Sequence, residues 1–493
     1  MQEQTIFDIL YPKFKINKPI RLITLFSGYD SQALALKYLG VDFELYKTCE
    51  WAVKSIQALK DLHFPYDNND YSLTLDIDEV KEFLFKKGIS SNYNDPMNKK
   101  QIDRMSEQYA RKIFNNIIAT RNLVNIQQVK GKQLEIRDTD KYTYIMTYSF
   151  PCQDLSLAGK GKGMSDTSTR SGMLWEVERI LTELKDKPQM LLMENVPQVH
   201  NEENIKDFKK WITRLEELGY KNYCQDLIAT DYGIPQTRNR TFMISLLGDY
   251  NYTFPKPIPL KLRLKDMLED NVDEKYYLSD KMINYVLNRT PIGEKDNYAN
   301  NIIGNDAEKN AGTITTKGSN SGTSCRSCDN FIVDNMTQND VDEQIYLKVR
   351  NANSKGYLEA TEGDGINIQA RMEYQRGNVQ KGKAHTLNTM GGENEGVVVL
   401  GNYSPSNHEA SRIIDSEYSA PTIKENHGTI NATQTSDLRI RKLTPRECFR
   451  LMGVKDEDFE KCAKNQSDSS LYHLAGDSIV VNVLMAIFKE VLW

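Results

Sequence analysis

The sequence predicts an α/β protein: a doubly wound, mostly parallel sheet with a smaller β-rich domain inserted late in the chain. Three observations carry this. Short apolar runs alternate with helical stretches through the first half, residues 255–435 turn to Asn, Gly, Ser and Thr with short β-prone runs, and residues 436–493 return to α/β character. Strands that alternate with helices call for parallel neighbours, because a parallel pair needs a crossover long enough to hold a helix.

Residues 21–26 (RLITLF) break into SGYDS, and QALALKYLG follows with helical spacing and a glycine stop. Residues 42–51 (DFELYKTCEW) repeat the scheme. A polar insertion then occupies 80–140, where Ile102, Met105, Tyr109 and Ile113 keep helical spacing and predict a helix docked on the sheet. Two further strands, KYTYIMTYSF before Pro151 and PQMLLMENV before Pro197, bracket the amphipathic stretch GMLWEVERILTELK. TFMISLLG at 241–248 closes the block, and Pro255, Pro257 and Pro259 mark a linker. The apolar terminal stretch SIVVNVLMAIFKEVLW must bury itself, and the first block is its natural host. Residues 1–254 and 436–493 therefore form one domain, interrupted by 255–435. Within that insert, AGTITTKG from 311, AHTLNTMGG from 384 and APTIKENHG from 420 form a weak repeat, which fits hairpin units and chance recurrence of Thr and Gly equally well.

Composition narrows the class. The 493 residues suffice for two to four domains, with 27% charged and 39% hydrophobic side chains. No apolar run suggests a membrane span, and the N-terminal stretch lacks a secretory pattern, so the expected place is the cytoplasm with no membrane contact. Seven cysteines make no disulfide framework. Cys325 and Cys328 form the only close pair, and a zinc site would want a second one, so no metal is expected. A net charge of -5 gives no electrostatic reason to expect nucleic acid, although a local basic groove is compatible with it.

In an open parallel sheet, ligands bind beyond the carboxyl ends of the strands. The conspicuous polar groups fall there: Phe26-Ser27-Gly28 after the first strand, Glu50 and Trp51 after the second, Cys152 after another, Glu194 and Asn195 after the next. A strand-end Glu is the type that bonds a ribose hydroxyl, and Trp51 could stack on a purine; a solvated Glu beside a core Trp fits equally well. Free cysteines are mostly buried and inert, but a proline before Cys152 and a glycine-rich loop after it argue for an exposed thiol, with Lys160 and Lys162 to favour the thiolate. Glu194, at the mouth of an apolar strand, is expected to be partly desolvated, which suits a proton donor. Gln236, Arg238 and Arg240 alternate ahead of a strand, which would align them on one face toward a phosphate or a base edge.

In this order, these residues resemble the cytosine-C5 DNA methyltransferase family. LFSGYDSQALAL resembles its first cofactor motif, CEW the second and LDI the third; FPCQDLS resembles the catalytic loop, TRSGMLWEVERIL the following helix and ENV the proton-donor motif. QTRNR, RKLTPRECFRLMG and AGDSIVVNVL complete the series. The resemblance implies a Rossmann-like methyltransferase sheet, with the insert as target-recognition domain. It further implies methylation of a flipped-out cytosine at carbon 5 in duplex DNA, using S-adenosyl-L-methionine. Cys152, Glu194 and Arg240 would be catalytic. Phe26, Ser27, Gly28, Glu50, Trp51, Asp76, Ile77, Pro151, Leu174, Asp477 and Ser478 would face the cofactor, and Gln153, Ser156, Lys160, Lys162, Gln236 and Arg238 the DNA. A monomer is implied, and a cognate restriction endonuclease is left open. Two residues depart from the pattern near the cofactor: Asp30 stands for a common glycine and Asp477 for the usual asparagine. An RNA cytosine methyltransferase and a catalytically impaired DNA-binding relative are the alternatives.

Overall fold

Six strands build the central sheet: β1 (Ile20–Leu25), β2 (Phe43–Cys49), β3 (Thr143–Tyr148), β4 (Met190–Asn195), β5 (Tyr220–Ile228) and β6 (Asn239–Leu247), in the order β2-β1-β3-β4-β6-β5. The structure is a computed structural model that describes residues 12–150, 171–276 and 443–493, and the backbone of short strands between 347 and 442. β1 pairs in parallel with β2 and with β3, and β3 with β4. The strand order reverses between β2-β1 and β1-β3, so the crevice of the doubly wound sheet opens at the ends of these strands. Every residue of β3 and β4 is buried, as expected for strands covered on both faces.

The far side of the sheet differs from a purely parallel one. β6 runs antiparallel to both β4 and β5. Its first residues therefore lie at the same edge as the carboxyl end of β4, with Asn195 opposite Thr241 and Glu194 opposite Phe242. β5 was not foreseen from sequence. Its YKNYCQDLI stretch has no apolar run, because it is the sheet edge and buries only Tyr220 and Leu227 deeply.

The helices read from apolar spacing are present, with one correction, and others accompany them. Helices α1 (Ser31–Tyr38) and α2 (Val53–His63) follow β1 and β2. Three more occupy the insertion: α3 (Ile77–Lys87), α4 (Lys99–Asp103) and α5 (Glu107–Ala119). Ile102 and Ile113 do share one apolar cluster, with Val80, Leu84, Phe114 and with Val53 and Ile56 of α2. They do not share a helix, however, because Ser106 caps α5 by accepting from the Tyr109 amide and so separates it from α4. Tyr109 is correspondingly exposed.

α6 (Leu174–Glu183) and α7 (Ile205–Glu217) cover the main core, where Val177, Ile180 and Trp211 meet Tyr148, Leu191 and Met193. The last segment runs through α8 (Pro445–Leu451), α9 (Asp456–Ala463), α10 (Asp468–Asp477) and α11 (Val481–Leu492). α11 buries Val483, Leu484, Ile487 and Phe488 and packs against α1. Asp468–Leu492 is apolar enough to cross a membrane by composition, yet it is two helices interrupted at Ser478 and mostly buried inside the protein.

The chain divides into two compact units: residues 1–234, 239–260 and 449–493 in the first, and 235–238 with 261–448 in the second. The second contains short strands such as Leu347–Arg350 paired antiparallel with Tyr357–Ala360, and Gly365–Ile368 between Gly377–Gln380 and Glu395–Val397. The three weakly repeated segments and the Cys325–Cys328 pair lie outside the described residues.

Candidate active site

The site is assembled from chain segments just past the strand ends. β1 ends in Phe26, Ser27 and Gly28, and the backbone takes positive φ at Phe26 (58°), Gly28 (55°) and Asp30 (66°). This winding turns the chain sharply from strand to helix and brings the Gly28 amide to Glu50, whose Oε2 accepts from it at 2.9 Å. Glu50 Oε1 accepts from the Ala52 amide at 2.7 Å. The Glu50 carboxyl thus ties the first turn to the end of β2. Its burial, opposed by these amide bonds and reinforced by the nearby Asp477 charge, pushes its pKa up to about 7. A Cβ added to Gly28 would meet open space, so a ligand can approach the backbone there.

Ser27 is occupied inward, its hydroxyl donating to the Thr24 carbonyl at 2.8 Å and its amide donating to the Cys49 carbonyl at 3.2 Å. Asp30 is also turned inward. Its carboxyl is wholly buried, caps α1 by accepting from the Ala33 amide at 3.0 Å, and accepts the Thr24 hydroxyl at 2.7 Å. The departure from glycine therefore adds a buried acid beneath the turn, and burial raises its pKa to about 7. Asp can stand in this left-handed position because its short side chain bonds locally.

Trp51 is half-buried and Ile77 partly so, both packed against the insertion cluster. Asp76 is exposed and caps α3, its Oδ1 accepting from the Asp78 and Glu79 amides, while Glu79 accepts from the Asp76 amide to complete a capping box. Leu174 is fully buried in the main core, so its side chain serves packing rather than lining a crevice. At the end of α10, Ser478 accepts the Tyr29 hydroxyl at 2.8 Å, and Asp477 pairs with His473. The cofactor motifs from both ends of the chain thus meet: Gly28, Tyr29, Glu50, Asp477 and Ser478 belong to one neighbourhood.

The second half of the site lies at the end of β4. Glu194 is buried, pairs with the Arg240 guanidinium at 3.2 Å and accepts the Ser149 hydroxyl. The expectation of a partly desolvated carboxyl is met in burial but not in isolation, because Glu194 has a cation and a donor on its two oxygens. Asn195 Nδ2 donates to the Phe150 carbonyl at 2.9 Å, and its Oδ1 accepts from the Val196 amide at 2.8 Å. The Glu-Asn pair therefore grips both residues that lead out of β3. Ser149 and the Asn195 tether were invisible to sequence reasoning, since neither contact is local in the chain.

The residues of the arginine row differ in burial. Arg240 belongs to the first unit with its side chain 18% exposed, whereas Gln236 and Arg238 are buried members of the second. Pro151, Cys152, Gln153, Ser156, Lys160 and Lys162 lie outside the described residues, directly after the gripped Ser149-Phe150. Among the described residues no cluster of His, Cys, Asp and Glu suits a metal ion.

A buried carboxyl paired with a guanidinium can exchange a proton with a ring nitrogen while the cation meets developing charge on an adjacent oxygen. The other end of the crevice offers a carboxyl and a glycine turn suited to a nucleoside.

Comparison with known proteins agrees with this chemistry. The family model for C-5 cytosine-specific DNA methylase matches residues 85–493. The type II methyltransferase M2.ScrFI of Lactococcus lactis subsp. cremoris is 27% identical over 474 residues, covering 96% of this chain and 98% of that protein. The orphan methyltransferase M.SssI of Spiroplasma monobiae is 32% identical over 322 residues, 62% of this chain and 81% of that one. A solved structure of the Entamoeba histolytica methyltransferase EhMeth superposes with a TM-score of 0.49 at 13% identity, covering 96% of this chain and 98% of that one. This chain is a DNA cytosine-5 methyltransferase and belongs to the C-5 cytosine-specific DNA methylase family.

Proposed function

We propose that Cys152, Glu194 and Arg240 carry the methylation of cytosine carbon 5, on a base rotated out of the duplex. Carbon 5 is too electron-poor to attack a methyl donor, and a nucleophile added at carbon 6 removes that obstacle. The Cys152 thiolate forms the bond to carbon 6 while Glu194 delivers its proton to ring nitrogen 3, and Arg240 meets the charge growing on the carbonyl oxygen. The electron pair released to carbon 5 then takes the methyl group. Loss of the carbon-5 proton to a base, departure of Cys152 from carbon 6 as thiolate and return of the nitrogen-3 proton to Glu194 restore the neutral aromatic ring and the enzyme. The Glu194–Arg240 pair, set beside the segment that enters Pro151-Cys152, is the observation that carries this reading.

S-adenosyl-L-methionine supplies the methyl group when bound. The open approach to Gly28 and the buried Glu50 carboxyl fit its nucleoside, each Glu50 oxygen keeping capacity for a ribose hydroxyl beyond its amide bond. Phe26, Ser27, Trp51, Asp76, Ile77, Pro151, Leu174, Asp477 and Ser478 complete the proposed cofactor surface; Ser27, Asp76 and Leu174 contribute mainly by shaping the turns and core beneath it.

Base flipping is required because the reacting atoms are inaccessible in a duplex. Gln153, Ser156, Lys160, Lys162, Gln236 and Arg238 are the proposed DNA contacts, and residues 255–435 the proposed target-recognition domain. The enzyme is proposed to act in the cytoplasm as a monomer on double-stranded DNA, with or without a cognate restriction endonuclease.

The test is Cys152→Ala. It abolishes methyl transfer while leaving DNA binding intact, and a duplex carrying 5-fluorocytosine is trapped covalently by the unaltered enzyme at Cys152. Full activity of the variant, or no adduct by mass spectrometry on bound DNA, overturns the mechanism.

A further inference from the structure

We propose that the helical insertion completes the cofactor site, with Tyr93 and His473 acting as positioning residues that hold the Asp477 carboxylate beside Glu50. The inference rests on the assignment of Glu50 and Asp477 to the cofactor made above.

Two acids meet at this edge. Glu50 is held by the Gly28 and Ala52 amides, and Asp477 lies close enough for its charge to act on Glu50. Facing carboxylates disfavour each other's ionised form, so a second acid here needs a partner. His473 supplies it from one helical turn earlier on α10, its Nδ1 lying 2.9 Å from Asp477 Oδ2. The ring of Tyr93 lies over His473 with centroids 3.7 Å apart and planes 43° from each other.

Tyr93 reaches this position because the insertion returns to the end of β2. The Ser90 amide donates to the Trp51 carbonyl at 2.8 Å and the Val53 amide to the Ser90 carbonyl at 2.9 Å, so the strand end carrying Glu50 and the insertion loop are joined through their backbones. Tyr93 itself has φ of 63°. A left-handed aromatic residue is strained and persists only where its surroundings enforce it. Here Asn92 Oδ1 accepts from the Asn94 and Asp95 amides and fixes the turn. Among the described residues, Asp477 from α10, Glu50 from the β2 end and Tyr93 from the insertion gather at this edge. A cofactor placed against these carboxyl groups is suited by their being fixed, and His473, 2.9 Å from Asp477 and under the Tyr93 ring, fixes one of them.

The experiment is calorimetric binding of S-adenosyl-L-methionine to the full-length protein from pH 6 to 8.5. His473→Gln weakens binding about three- to tenfold, the scale of a lost coupling between neighbouring charges, and moves its pH midpoint upward. Tyr93→Ala acts in the same direction. In an Asp477→Asn background both substitutions become silent, because no carboxylate remains to be held. Wild-type affinity and midpoint in His473→Gln, or an equal loss with and without Asp477→Asn, overturns the role of His473; wild-type binding by Tyr93→Ala removes the insertion from it. Glu50→Gln separates the two levels: if it binds as tightly as the unaltered protein, the cofactor assignment itself fails, and if it alone weakens binding, only the present inference does.

Discussion

Asn195 Nδ2 holds the carbonyl of Phe150 at 2.9 Å, two residues ahead of Cys152. The donor sits at the end of β4 and the acceptor just past the end of β3, so the backbone at Phe150 is held by a neighbouring strand. The strand end that carries the proposed acid, Glu194, thus also fixes the backbone just ahead of the proposed nucleophile.

Asn195→Ala should lower kcat for methyl transfer by about a hundredfold, the scale of misplacing a reacting group by around an ångström, with little change in DNA affinity. It should also cost roughly 1–3 kcal/mol of stability, because the buried Phe150 carbonyl loses its donor. Steady-state kinetics with urea unfolding checks both, and a stability loss without a kcat loss would refute this positioning role.

Glu194→Gln retains the shape and a hydrogen bond to Ser149 but removes the ion pair with Arg240 and the proton. The expected loss is about 10²–10⁴ in kcat. Arg240→Lys keeps the charge but not the planar fork, and should also lose activity. Covalent trapping by a 5-fluorocytosine duplex should slow in both variants, since adduct formation precedes methyl transfer; trapping at the normal rate would place these residues after the first step.

Asp30 is a buried acid whose pKa stands near 7 in the folded protein, well above its ordinary value of 3.8. The folded state thus holds a proton that the unfolded chain releases, and the sign follows. Its contribution to stability is fully present below about pH 4 and is lost as pH rises through about 7. Asp30→Asn preserves both the cap and the left-handed turn, so it should flatten the fall in stability between these limits and be the more stable form at pH 8. Urea unfolding across pH checks this; parallel pH profiles would refute it.

Cofactor binding should carry its own pH dependence. Glu50 ionises near pH 7, so affinity for the cationic donor should tighten as pH rises through that value. Glu50→Gln should bind more weakly and without the midpoint, as measured by calorimetry at several pH values.

Much of the sheet and the order of its motifs were legible in the chain. β1, β3 and β4 are largely apolar runs because they are buried on both faces, and the conspicuous polar residues follow such runs or the mixed edge strand β2, so strand ends could be read as site positions without coordinates. β5 escaped notice because an edge strand has only one face to bury, and its residues Cys224, Gln225 and Asp226 are exposed. The reversal of β6 escaped with it, and that reversal is what brings Arg240 to Glu194.

The sequence by itself determined which residues are proposed to carry chemistry, from residue type, strand-end placement and motif order, which are local properties of the chain. Only the tertiary structure decided their partners. That Asp30 points into the core, that Leu174 is packing, that Glu194 answers to Ser149 and Arg240, and that His473 and Tyr93 reach Asp477 all depend on long-range contacts. Such contacts form only when distant segments are packed side by side, and nothing in local periodicity encodes them.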